Sequence, residues 1–274
     1  MPVRDDRSDV TRFAHVDATG DAGSLIGFLD TANALAGLRA AKQVLLDQLR
    51  LRKVLDVGCG TGADLMAIAG RLPRGGRATG IDVSESMITE ARRRASGLDL
   101  NISFDTGDAV NLPYQDASFG ACWAATMLQH VPDASQVIRE MIRVTRPGGR
   151  VAALEFDQDS TMVDHPDRDT TRVIVQTFGH AMVNGWIGRQ LPRLFRQAGL
   201  TDISVSPIVN LGEPAMFQAM IRSHVDRLRA DNVLTASQAD GWWHALQRQA
   251  ADGHFLAGAV IFAVAATRPD GWVG

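Results

Sequence analysis

One stretch of nine residues constrains this chain more than any other: Val54-Leu55-Asp56-Val57-Gly58-Cys59-Gly60-Thr61-Gly62. Residues suited to a buried strand run into three glycines at alternate positions, and a helical pattern follows over 65–72. Glycine reaches positive φ without steric cost and lets a ligand approach bare backbone. A strand that ends in such a turn and hands over to a helix opens a parallel α/β unit. Open sheets of that kind bind ligands at the carboxyl edge of their strands.

The pattern after the turn repeats the theme. Apolar runs at 78–83, 102–104, 121–127 and 150–156 read as strands, and helical spacing fills 86–95 and 134–145 between them. The turn Arg146-Pro147-Gly148-Gly149 leads into the fifth strand. Strands that alternate with helices imply a parallel sheet covered on both faces, and near-continuous apolar strands fit burial on both sides. Beyond Asp157 the spacing predicts helices at 172–183 and 190–198, a sixth strand at 203–209, helices at 213–230 and 237–249, and a last strand at 257–267. The expected fold is α/β: a doubly wound, mostly parallel seven-stranded sheet with an antiparallel last strand. Residues 1–49 are expected to form a helical lid, with two helices broken near Gly37. Residues 50–274 form the main domain, and an insertion at about 211–255 is too long for an ordinary connection and should form a cap.

Composition excludes several classes. The chain has 274 residues and a net charge of −3, so nothing attracts a polyanion and nucleic acid is a poor substrate. The basic run Arg92-Arg93-Arg94 fits the solvated face of a helix. Cys59 and Cys122 are the only cysteines, which is no disulfide framework, suits a reducing cytosol and cannot by itself hold a metal. The first twenty residues are polar, lack periodicity and carry no signal peptide; they are expected to be mobile or to act as a lid. The apolar stretch 256–266 is far shorter than the roughly 20 residues that span a bilayer. A cytoplasmic protein without a membrane span is the expectation, and its apolar N-terminal helices leave room for a homo-oligomer that exchanges them.

The chemistry lies in a few side chains. Asp82 ends the second strand, where a carboxylate can accept hydrogen bonds from both ribose hydroxyls. Ser84 or Ser86 can cap the next helix, which frees Asp82. The spacing G-x-G-x-G differs from the dinucleotide pattern, because Ala63 stands where the last glycine would fall. Asp56, just before the glycines, repels phosphate and suits an ammonium group. An amino-acid-bearing nucleoside therefore fits better than NAD or ATP, and no G-x-x-x-x-G-K-[ST] loop is present.

Four motifs in register, VLDVGCGTG at 54–62, GIDVSESMI at 80–88, GDAVNLPYQDASF at 107–119 and RPGGR at 146–150, carry a family resemblance. Over about 50–160 the chain resembles the class I S-adenosylmethionine-dependent methyltransferases, in their ubiquinone/menaquinone and small-molecule branch. The resemblance implies that Asp56, Gly58 and Gly60 line the methionine part of S-adenosylmethionine, and that Asp82 holds the ribose. It implies that Val83 and Met87 pack near the adenine, that Asp108 of Gly107-Asp108-Ala109 accepts the adenine amino group, and that Ala124, Ala125 and Gln129 sit against the cofactor. Leu128-Gln129-His130-Val131 departs from the family's usual L-H-H-V at Gln129, and Gly120 replaces a common acid. The segment 13–49 is similar to a cofactor-covering helix pair, from which Arg39 and Lys42 could reach the cofactor carboxylate or simply face solvent.

The implied reaction is methyl transfer to an O, N or C atom of a small molecule, a specialised metabolite or quinone precursor. No metal is expected. Candidate bases are Glu155 and Asp157 at the end of the fifth strand and His130, with His180, His224 and His254 behind them. Trp186, Trp242, Trp243, Met216, Phe217 and Met220 could wall an apolar substrate pocket or pack the cap. The alternative is a protein of this fold that binds the cofactor for another reaction or a binding role. A macromolecule methyltransferase is disfavoured by the lack of a basic face and of an N-P-P-Y-like motif.

Overall fold

A computed structural model describes residues 13, 16–18, 22–49 and 52–272. The expectations for the first twenty residues and for the start of the 1–49 lid fall largely outside these. The parallel half of the sheet comprises β1 (Lys53–Val57), β2 (Arg77–Asp82), β3 (Ile102–Thr106), β4 (Phe119–Ala125) and β5 (Thr145–Val163). β6 (Thr201–Leu211) and β7 (Ala257–Thr267) complete the seven-stranded order β3-β2-β1-β4-β5-β7-β6. β7 runs antiparallel to both of its neighbours, which returns β6 to the direction of β1–β5.

Side chains alternate across a strand, and the two faces of this sheet are buried by different helices. Leu55, Val57, Cys122, Ala124, Val151 and Ala153 pack under α5 (Ala134–Val144) and α7 (Ile187–Gln197). Val54, Ala121, Trp123, Ala152 and Leu154 pack under α2 (Ala36–Leu46) on the other face. α3 (Ala63–Ala69) and α4 (Glu85–Ala95) cover β2 and β3 through Leu65, Ile88 and Ala91. Each fully buried Val, Leu or Ile among these contributes about 1.5–3 kcal/mol, and the small alanines let the helices approach the sheet closely.

The break between α1 (Ala22–Ala34) and α2 falls at Leu35, just before Gly37, where the backbone is extended. Gly37 lies inside α2 because a Cβ there would stand 2.4 Å from Asn210 Oδ1, so its missing side chain seats the helix on β6. The turn at 146–149 is drawn into β5, where Gly148 N–H donates to the Arg268 carbonyl at 2.8 Å. β5 also continues well past Phe156, with a register shift between Asp157 and Met162.

Between β6 and β7 the chain forms α8 (Pro214–Ala230) and α9 (Ala236–Ala251), the latter started by a Thr235–Gln238 capping box. They pack with α6 (Arg168–Ala181) around a separate apolar core of Ile174, Phe178, Ile221, Trp242 and Leu246. β6 ends at Leu211, paired with Gly258, so these helices rise from the same sheet edge as the glycine turn. Among the described residues no helix is long and apolar enough to cross a membrane, and no group of three or more His, Cys, Asp or Glu side chains could hold a metal ion.

Candidate active site

The turn after β1 is shaped by what surrounds it. Gly58, Gly60 and Gly62 have φ of 71°, 51° and 77°, in the left-handed region. Gly58 and Gly62 are required twice over, because a Cβ would meet Met127 Cγ at 2.3 Å at the first and the Phe104 ring at 2.8 Å at the second. Gly60 is different: a Cβ there meets only Leu29 Cδ1 at 3.4 Å. Its backbone is therefore bare toward a cavity of about 470 Å³, a size usual for small-ligand sites.

Asp82 stands beside Gly60 on that wall. Its Oδ2 accepts the Gly60 N–H at 2.8 Å and its Oδ1 the Ser84 N–H at 3.0 Å. Burial pushes the Asp82 carboxyl above its ordinary value, while these backbone donors pull the other way. Ser84, not Ser86, caps α4, accepting the Met87 N–H at 3.2 Å. The Ser84 hydroxyl then donates to Asp17 Oδ1 at 2.8 Å, and Glu85 N–H to Asp17 Oδ2 at 2.9 Å. The N-terminal segment is thus tied to the start of α4, a contact no local pattern signalled. Val83, Met87, Gly107, Asp108 and Ala109 share the Asp82 side of the cavity. Bare backbone, two carboxylates and an apolar methionine make a donor set that could hold an amino-acid-bearing nucleoside.

Asp56 does not line the cavity. It is buried beneath the turn, its Oδ2 has no partner, and burial and the nearby Asp64 push its carboxyl well above the usual range, with Lys42 opposing. Lys42 Nζ donates to Asp64 Oδ1 at 2.7 Å and to Asn33 Oδ1 at 2.6 Å, and all three line the cavity. Arg39 is exposed and off the wall, because the buried stripe of α2 is Leu38, Ala41, Lys42 and Leu45.

The same geometry corrects the readings at the ends of β4 and β5. Ala124 belongs to the core under α5 and α7, and it is Ala125 and Thr126 that reach the cavity. Glu155 and Asp157 also turn away from it. Glu155 is fully buried, with Oε1 accepting the N–H groups of Met127 and Leu128 at 2.9 and 2.6 Å. Asp157 Oδ2 accepts from Arg189 Nε at 2.7 Å. Neither faces a substrate, because alternation along β5 sends Phe156 and Gln158 to the cavity instead. That period of two was the signal for both residues, once the facing side was known.

His130 and Gln129 are on the wall, carried by a short 3-10 turn at Leu128–His130. The His130 ring centroid lies 5.4 Å from that of Phe13, and burial pushes the imidazole down to about 4, so it is neutral at physiological pH. Phe28, Phe178, Met216, Phe217 and Met220 make much of the remaining wall apolar. The tryptophans do not reach it. Trp242 donates to Thr171 Oγ1 at 2.9 Å and stacks on His165, Trp243 lies under Arg222, and Trp186 is half exposed beside Arg189. His180 and His254 are exposed, and His224 is buried against Thr177 Oγ1 at 2.9 Å.

Residues 54–149 match the family model described as a methyltransferase domain. The chain is 33% identical over 214 residues to the 27-O-demethylrifamycin SV methyltransferase of Amycolatopsis mediterranei, covering 74% of this chain and 75% of that protein. It is 32% identical over 172 residues to the demethylmenaquinone methyltransferase of Bacillus mycoides, covering 57% and 72% respectively. Among solved structures, the YcgJ protein of Bacillus subtilis matches with a TM-score of 0.59 at 15% identity, covering 85% of this chain and 100% of that one.

Proposed function

We propose, from the premise that this chain belongs to the class I S-adenosylmethionine-dependent methyltransferases, that it methylates a hydroxyl oxygen of a neutral, largely apolar small molecule. S-adenosylmethionine is the methyl donor. When bound it supplies a methyl group already activated on a sulfonium. The residues that would hold it are the Gly60 backbone, Asp82 at the ribose, Met87 and Asp108 near the base, and Lys42 at the carboxylate end. Asp56 lies beneath the turn and off the cavity wall, so it would support the turn and not touch the cofactor. Helices α1, α2, α6 and α8 cover the cavity, with α9 packed behind α6 and α8, and would keep water from the reacting atoms.

The observation that carries this reading is His130, a neutral imidazole on the wall of a largely apolar cavity. Lys42, the lysine on that wall, is matched by Asp64. An anionic acceptor would therefore find Lys42 already paired, and a neutral one loses least on entry to the apolar part of the wall. His130 takes the hydroxyl proton as the oxygen gains the methyl group, and its low basicity lets the proton leave afterwards. That basicity suits an acidic hydroxyl, a phenol or enol, better than an alkyl alcohol.

The test is formation of S-adenosylhomocysteine with matched panels of neutral phenols and of amines. Phenol-dependent product is expected, falling about 10²–10⁴-fold in His130→Ala. Turnover of amines alone, or an unimpaired His130→Ala enzyme, would overturn the proposal.

A further inference from the structure

Two glutamines on the cavity wall form a chain of hydrogen bonds with one free end. Gln129 Nε2 donates to the Thr126 carbonyl at 3.4 Å, and Gln158 Nε2 donates to Gln129 Oε1 at 3.0 Å. A backbone carbonyl can only accept, so it turns the Gln129 nitrogen toward Thr126 and the Gln129 oxygen toward Gln158. That oxygen in turn requires a donor, which fixes the Gln158 nitrogen on it. Gln158 Oε1 is then left as an acceptor with no donor on it, next to the second hydrogen of Nε2. It makes no hydrogen bond with the described residues and is not sealed from the cavity, although the residue is only 6% exposed.

The frame around this oxygen is rigid. Gln158 N–H donates to the Gly185 carbonyl at 2.9 Å, and Thr161 Oγ1 donates to the Gln158 carbonyl at 2.6 Å. Asn184 N–H donates to the Gln129 carbonyl at 3.0 Å. A nearly buried acceptor, held in one orientation and left without a donor, is set to receive one from a ligand. Gln129 is the residue that stands where the family motif has histidine, so this chain has built an amide pair at that place.

We infer that Gln158 determines specificity by accepting a hydrogen bond from a second hydroxyl of the methyl acceptor. The substrate class is therefore a neutral apolar molecule with at least two hydroxyl groups, one facing His130 and one facing Gln158. The inference rests on the acceptor reading above. A carbonyl or ether held against Oε1 would set acceptor against acceptor, and an unsubstituted carbon there would leave Oε1 unmet.

The test is calorimetric binding to enzyme saturated with S-adenosylhomocysteine, using 1-naphthol and a set of isomeric dihydroxynaphthalenes as probes. At least one diol is expected to bind about tenfold or more tightly than the naphthol. Gln158→Met should abolish that preference. Gln158→Glu should keep it, because a protonated carboxyl donates to Gln129 Oε1 and still presents a carbonyl oxygen, so the result does not depend on one variant folding. Equal binding of naphthol and every diol by the unmodified protein, or a preference that survives in Gln158→Met, would overturn the inference. Failure to bind S-adenosylhomocysteine at all would instead remove the methyl-transfer reading beneath it.

Discussion

Glu155 Oε1 accepts the Leu128 N–H at 2.6 Å, so a carboxyl group on β5 holds the turn that brings Gln129 and His130 to the cavity. The turn needs holding, because Thr126 at its start has φ of 53°, a left-handed conformation that β-branched residues rarely adopt.

Glu155→Ala should destabilise the fold by about 1–3 kcal/mol for the buried Leu128 N–H it orphans, and by less for the part-buried Met127 N–H, read by chemical denaturation. Glu155→Gln retains an acceptor and should cost less. The pH dependence has a definite sign. Burial raises the Glu155 carboxyl from an ordinary 4.5 to about 8 in the fold. Its contribution is wholly present below the unfolded value and drains away as pH climbs through 8. Between pH 5 and 9 the unmodified protein should therefore lose more stability than Glu155→Gln, and parallel curves would refute the assignment.

Asp82→Ala should weaken S-adenosylhomocysteine binding at least tenfold, about 1.4 kcal/mol, as measured by calorimetry. The loss has two sources: the ribose contact proposed for Asp82, and the Gly60 and Ser84 N–H groups that its carboxylate now holds. Unchanged affinity would take Asp82 out of the site.

His130 sets the acid limb of the rate profile. With its imidazole pushed down to about 4 by burial, protonation should not slow kcat/KM around 6.5, the ordinary histidine value. The decline should begin only near 4, and a limb centred near 6.5 that disappears in His130→Gln would show a solvated imidazole instead.

Lys42→Met removes the cation that Asp64 and Asn33 share. Breaking a fully buried pair costs about 3–5 kcal/mol; with Asp64 still 22% exposed, a loss of about 2 kcal/mol is expected. A variant as stable as the parent would mean the pair is held only by solvent-screened attraction. Arg39→Met, on an exposed position of the same helix, should stay within about 0.5 kcal/mol.

Much of this fold is legible because its rules are local. The strand–glycine–helix handover at 54–65, the alternation of strands and helices and the apolar last strand each follow from the preferences of neighbouring residues. So does the placing of Asp82 at a strand end, whereas its seat beside the glycine turn comes from the pairing of β1 with β2. The site is less legible where it depends on partners far along the chain. Gly58 is confined by Met127, Gly37 by Asn210, and the start of α4 by Asp17. Nothing within a few residues of any of these announces its partner.

The clearest division runs through β5. Its order of residues alone determined that two side chains from Glu155-Phe156-Asp157-Gln158 point one way and two the other. Only the tertiary structure decided which pair meets the ligand, because the phase of the pleat is set by which face the helix α7 covers. That choice buries Glu155 and Asp157 and turns Phe156 and Gln158 into the cavity.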